Sequence, residues 1–214
     1  MPEKKKLEAK VVDVKRVFNS FFKMDRYEIE MDRHEGGKQR VVREIFERGH
    51  AVGILAYDPL TDMVVLVNEM RPGILAAGGY PYTDTLPAGG IAQGETDIAA
   101  AVRETREETG LELKNPEVIH AGSYVSPGGT SEKISIVFGI VDASRAGGVF
   151  GNEDEKENIK TSAVTSDELM RRIRSGDIND MKTMLAGYWL MENRARLQKA
   201  YAAPKGQGNK GPQP

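Results

Sequence analysis

The segment GGIAQGETDIAAAVRETREETGL, residues 89–111, carries three glutamates and an arginine at helical spacing. Glu104 and Glu108 are one turn apart, Glu107 lies beside them, and Arg103 stands at i, i+4 from Glu107. At about 100° per residue the carboxylates share one flank of a helix, beside a stripe of Ile98, Ala101, Val102 and Thr105. Crowded carboxylates repel one another, and the more so where water is scarce. A divalent cation removes that conflict. Donors that are all oxygen favour Mg2+ or Mn2+ over zinc. Arg103 can pair with Glu107 and hold it in place.

The element that positions these groups is a capped helix. Thr96 is a good N-cap, Asp97 adds negative charge to the first turn, and Gly110 suits a left-handed C-terminal stop. The stripe at i, i+3, i+4 and i+7 predicts packing on a core. Thr105 within that stripe can turn its methyl inward while its hydroxyl bonds back to a helix carbonyl.

The chain has 214 residues, enough for one sizeable core and a small appendage. A net charge of -2 gives no global field for nucleic acid, so none is expected as a partner. There are no cysteines, which excludes disulfides and thiolate metal sites. His34, His50 and His120 are the only histidines, and no pair has zinc-ligand spacing. No apolar run reaches the ~18 residues of a membrane span. The opening MPEKKKLEAK lacks the apolar stretch of a secretory signal, and a cytoplasmic location is the expectation.

Residues 9–16 and 21–32 are predicted strands with a turn near Asn19, and residues 34–38 a hairpin turn before a strand at 41–46. This opening unit has little apolar material and should lean on the rest of the chain or on a second subunit. Residues 51–57 and 63–70 are predicted strands joined by the turn DPLTD. Residues 72–85 read as a loop. Strands are expected at 118–125 and 134–141, flanking the turn Ser126–Thr130. A loop at 147–158 ends in the acidic run NEDEKEN. A strand near 161–165 precedes helices at about 166–174 and 179–201. Residues 203–214, rich in Gly, Pro, Gln and Lys, are expected to be a disordered tail. The arrangement suggests an α/β/α sandwich with a mixed sheet, divided into an N-terminal β unit over 1–47 and a main domain over 48–202.

Gly89, Glu95, Arg103, Glu104, Glu107, Glu108, Gly110 and Leu111 fit Gly-x5-Glu-x7-Arg-Glu-U-x-Glu-Glu-x-Gly-U, where U is aliphatic; Thr105 takes one aliphatic slot. This resembles the Nudix box, the signature of hydrolases that cut nucleoside diphosphates linked to another group. Pro127, sixteen residues after Leu111 in SPGGTSE, and the segment REIFERGH at 43–50 are similar to the bacterial ADP-ribose pyrophosphatase branch. A proline at that offset also occurs in GDP-mannose hydrolases. The resemblance implies a Nudix-type fold, a homodimer that exchanges the N-terminal unit, and cleavage of ADP-ribose to AMP and ribose 5-phosphate with Mg2+. GDP-mannose or another nucleotide sugar is the alternative substrate. A non-catalytic ADP-ribose sensor is a further alternative, disfavoured because all four box glutamates stand.

The same resemblance implies roles for particular residues. The Ala88 carbonyl, Glu104, Glu108 and Glu157 match metal ligands. Glu107 matches a residue that binds or orients metal and water. Glu95 and Arg103 match positions that brace the loop-helix-loop. In the acidic run Glu155 matches the general base, with Glu153 and Glu157 as the other choices. Arg71 matches a diphosphate clamp, for which a guanidinium fork is suited. Phe22, Arg43 and Glu44 match positions associated with adenine.

Overall fold

A computed structural model describes residues 6–154 and 156–201. By internal contacts the chain divides into two units. One comprises Met1–Ala51 with Gly122–Ile134, the other Val52–Ala121 with Ser135–Pro214.

The first unit holds a three-stranded sheet, β1 (Ala9–Asn19), β2 (Lys23–Asp32) and β3 (Lys38–Glu47), in the order β1-β2-β3. Both pairings are antiparallel, and two register shifts interrupt β1 against β2. β1 is exposed along its length, with Val11, Val14, Val17 and Phe18 among its open apolar side chains. The buried Asp25 is held by Arg16 through two bonds of 2.7 Å. The turn carrying Pro127 meets the end of β3 in this unit. The Phe46 N–H donates to the Gly129 carbonyl at 2.8 Å, and the Thr130 hydroxyl donates to the Phe46 carbonyl at 2.9 Å. The two segments similar to one enzyme branch are therefore bonded to each other.

The remaining strands are β4 (Ala51–Asp58), β5 (Met63–Met70), β6 (Tyr82–Thr85), β7 (Ala88–Gly90), β8 (Lys114–Tyr124), β9 (Lys133–Ile140), β10 (Gly148–Phe150) and β11 (Ile159–Thr165). They form a mixed sheet of order β10-β11-β5-β4-β9-β8, with β6 on β5 and β7 on β4. The helices are α1 (Pro72–Ala76), α2 (Asp97–Thr109), α3 (Ser166–Ser175) and α4 (Met181–Tyr201).

β4 is buried over nearly its whole length because helices cover both faces of the sheet. Val52, Ile54 and Ala56 point to one side, where they join Val65, Val137, Ala100 and Ala101 of α2. On the other side Phe138 packs on Trp189 of α4, with ring centroids 5.5 Å apart, and a Cβ on Gly53 would meet the Lys182 side chain. These contacts make the expected three-layer α/β/α sandwich. Among the described residues no helix is long and apolar enough to cross a membrane.

Several expectations are corrected. Residues 72–85 contain the short helix α1 and the strand β6. β6 is short and depends on cross-strand pairing with β5, which a local reading of Gly, Pro and Tyr does not reveal. β8 starts at Lys114 and includes Pro116, which is tolerated because β8 lies at the end of the strand order. The expected stripe of α2 is rotated. Ile98 and Val102 are exposed, while Ala100, Ala101, Thr105, Glu108 and Thr109 are buried. Small side chains let the helix sit close to the sheet, so Glu108 is carried into the interior. The expected tail at 203–214 lies outside the described residues.

Candidate active site

The local chemistry of α2 is as its sequence implies. The Thr96 side chain accepts from the Ala99 N–H, and Gly110 ends the helix at φ 68°. The Thr105 hydroxyl donates to the Ala101 carbonyl at 2.7 Å, which settles its polar atom inside the core.

Arg103 is the centre of the surrounding brace. Its Nε and one terminal nitrogen each donate to Glu95 at 3.0 Å, and that same nitrogen donates to the Gly90 carbonyl at 2.9 Å. The other terminal nitrogen donates to Glu104 at 2.7 Å and to Glu107 at 3.1 Å. Glu95 also accepts from the Ala92 N–H at 2.9 Å. The guanidinium thus ties the loop before α2 to the two helix carboxylates, and its charge is held above all by Glu95 and then by Glu104.

Glu108 is the most buried of the acidic groups, at 2% exposure. One oxygen accepts from the Ala88 N–H at 2.9 Å, which places Ala88 at the site. Burial pushes the Glu108 carboxyl up to about 8, with further upward pressure from Glu69 and Glu104 against the Ala88 bond and Arg71. Burial likewise raises Glu104, opposed by Arg103 and assisted by Glu107 and Glu157. Glu107 is exposed, and its carbonyl accepts from the Gly151 N–H at 3.3 Å, tethering the acidic loop to α2. Within that loop Glu157 is half-buried and accepts from the Asn152 N–H at 2.9 Å. Glu153 is exposed, and Glu155 lies outside the described residues.

Sequence reasoning missed Glu69. It sits on β5 with its side chain 16% exposed, pairs with Arg71, and is pushed up by burial with Glu157 as an added cause. Period-two alternation held the signal, because Val65, Val67 and Glu69 occupy the same face of β5. Arg71 also donates to the Thr85 hydroxyl at 3.0 Å.

The structure therefore brings together Arg71, Ala88, Arg103, Glu104, Glu107, Glu108 and Glu157, with Glu69 added. Among the described residues no three acidic or imidazole side chains already form a metal-ligating cluster. The fit to a divalent cation is electrostatic. Buried carboxylates raise one another's affinity for protons, and the donors are all oxygen. Mg2+ or Mn2+ suits such a set.

In the first unit Phe22 packs edge-on to Phe46, with centroids 5.0 Å apart, and the Arg48 guanidinium lies 5.4 Å from its ring. Glu44 and Phe46 alternate onto one face of β3, and Arg43 projects from the other. Phe22 and Glu44 thus share a side of the sheet that Arg43 does not.

The NUDIX domain matches residues 47–184. The chain is 33% identical over 198 residues to an ADP-ribose pyrophosphatase of Escherichia coli (strain K12), covering 92% of this chain and 94% of that relative. An ADP-ribose pyrophosphatase of Haemophilus influenzae is 31% identical, with 91% of each chain covered. A GDP-mannose pyrophosphatase of Cronobacter sakazakii is 27% identical over 180 residues, covering 84% of this chain and 93% of the relative. A crystal structure described as an ADP compounds hydrolase shares the fold with TM-score 0.65 and 22% identity, covering 87% of this chain and 96% of that one.

Proposed function

The chain belongs to the Nudix family, and on that premise we propose that it is a Mg2+-dependent pyrophosphatase hydrolysing ADP-ribose to AMP and ribose 5-phosphate. The observation that carries the substrate choice is similarity over nearly the whole chain, N-terminal unit included, to ADP-ribose pyrophosphatases. GDP-mannose is the second reading, since relatives with that name match at lower identity and coverage.

Glu104, Glu108, the Ala88 carbonyl and Glu157 are the groups that would hold divalent ions. Such ions neutralise diphosphate charge and lower the pKa of bound water. Arg71 binds the non-bridging phosphate oxygens through the N–H donors its present partners leave free. Glu155 accepts the proton of the attacking water, a contribution of roughly 10²–10⁴-fold. Arg103 keeps Glu104 and Glu107 in register with the loop, so the acidic groups need no rearrangement when substrate arrives.

The N-terminal unit serves base recognition in a homodimer. A base sandwiched between Phe22 and Arg43 needs one residue from each copy, because within one copy they lie on opposite sides of the sheet. The open apolar side chains of β1 give a second copy a surface to cover. Glu44 accepts from the exocyclic amine of adenine. The chain acts in the cytoplasm, with neither nucleic acid nor membrane as a partner. The test is incubation of ADP-ribose with the protein and Mg2+, with products identified by mass. AMP and ribose 5-phosphate are expected, and chelation should stop their formation.

A further inference from the structure

We propose that Glu69 is a positioning residue for the diphosphate: it fixes the Arg71 guanidinium in its binding orientation before substrate arrives. The inference rests on the clamp role given to Arg71 above. Three contacts hold Arg71. Its backbone N–H donates to the Pro81 carbonyl at 2.9 Å, its side chain pairs with Glu69 of β5, and a terminal nitrogen donates to Thr85 of β6 at 3.0 Å. β5 and β6 are themselves paired, Val67 opposite Thr85 and Glu69 opposite Thr83. Thr85 is 1% exposed and donates onward to the Leu86 carbonyl at 3.1 Å, so its oxygen is fixed.

A long cationic side chain gains affinity when its rotamers are settled before binding. Glu69 takes one terminal nitrogen of the guanidinium and Thr85 the other, and the remaining N–H donors are left for phosphate oxygens. A buried carboxylate beside the other acidic groups of the site would otherwise be unfavourable, because it adds like charge where charge is already crowded. Its pairing with Arg71 gives that charge a use.

The test is a double-mutant cycle read as the Kd of ADP in Mg2+ by calorimetry, with Glu69→Ala, Arg71→Ala and the double variant. Glu69→Ala should weaken ADP by on the order of tenfold, and in the Arg71→Ala background by less than about twofold. Glu69→Gln, which keeps an acceptor oxygen, should recover most of the loss, and Thr85→Val should weaken ADP in the same direction as Glu69→Ala. Equal weakening in both backgrounds, or none in either, overturns the assignment. Failure of the wild type to bind ADP overturns the clamp role with it. Because ADP is the probe, failure to hydrolyse ADP-ribose would count against the substrate reading alone.

Discussion

Gly89 and Glu104 occupy adjoining space: a Cβ on Gly89 would overlap the Glu104 carboxyl group. The first glycine of the motif is therefore required by a carboxylate fifteen positions on. Gly89→Ala should displace Glu104 from its bond to Arg103 and cost about 1–3 kcal/mol of stability from overpacking. A displacement of that size in a catalytic carboxylate should lower turnover on the order of 10²-fold. Paired activity and denaturation measurements check this. A variant as active as wild type would mean that the Glu104 position is unimportant.

Glu108 makes metal-free stability depend on pH. The folded carboxyl holds its proton up to about 8, whereas an ordinary one releases it near 4.5. The folded form binds more protons between those values, so this contribution is present below about 4.5, declines through the window and is lost above about 8. Glu108→Gln keeps an acceptor for the Ala88 N–H and removes the titration. In chelated protein it should flatten the fall in melting temperature from about pH 5 to pH 9, and it should reduce stabilisation by Mg2+. An unchanged slope would contradict the burial argument.

Glu155→Gln should lower kcat by roughly 10²–10⁴-fold with little change in KM, because the proton is transferred only in the transition state. Glu153→Gln should be mild. Steady-state kinetics of the two variants decide the matter, and the reverse order would move the base to Glu153.

Much of the motif was legible because its chemistry is local. The Thr96 cap, the Gly110 stop, the Arg103–Glu107 pair and the Thr105 back-bond all act within a turn or two of helix. The phase of the buried face was not. Ile98 and Val102 are the larger apolar residues, yet the sheet accepts the side bearing Ala100, Ala101 and Thr105, and that choice carries Glu108 inward. β6 and β7 escaped for a related reason: each is only a few residues long and is defined by pairing with a distant strand. Glu69 was readable from the alternation of β5, but a charged residue near a strand end is ordinarily solvated, and only burial beside Glu108 gives it significance.

Sedimentation should give a particle about twice the 23.5 kDa chain mass. Phe22→Ala and Arg43→Ala should each impair ADP-ribose turnover. If one residue from each copy forms the base site, mixing the two variants leaves one intact site per mixed dimer and restores about a quarter of wild-type activity. A monomer at assay concentration, or mixing without recovery, would contradict the shared site.

The ratio of kcat/KM for ADP-ribose and GDP-mannose at the same Mg2+ concentration decides the substrate. Adenine offers a donor amine where guanine offers an acceptor oxygen, so a carboxylate such as Glu44 favours adenine by a few kcal/mol if buried, on the order of 10²-fold in kcat/KM. A clear preference for ADP-ribose is expected, and it should narrow in Glu44→Gln, since an amide both donates and accepts. A preference for GDP-mannose in the wild type would contradict it.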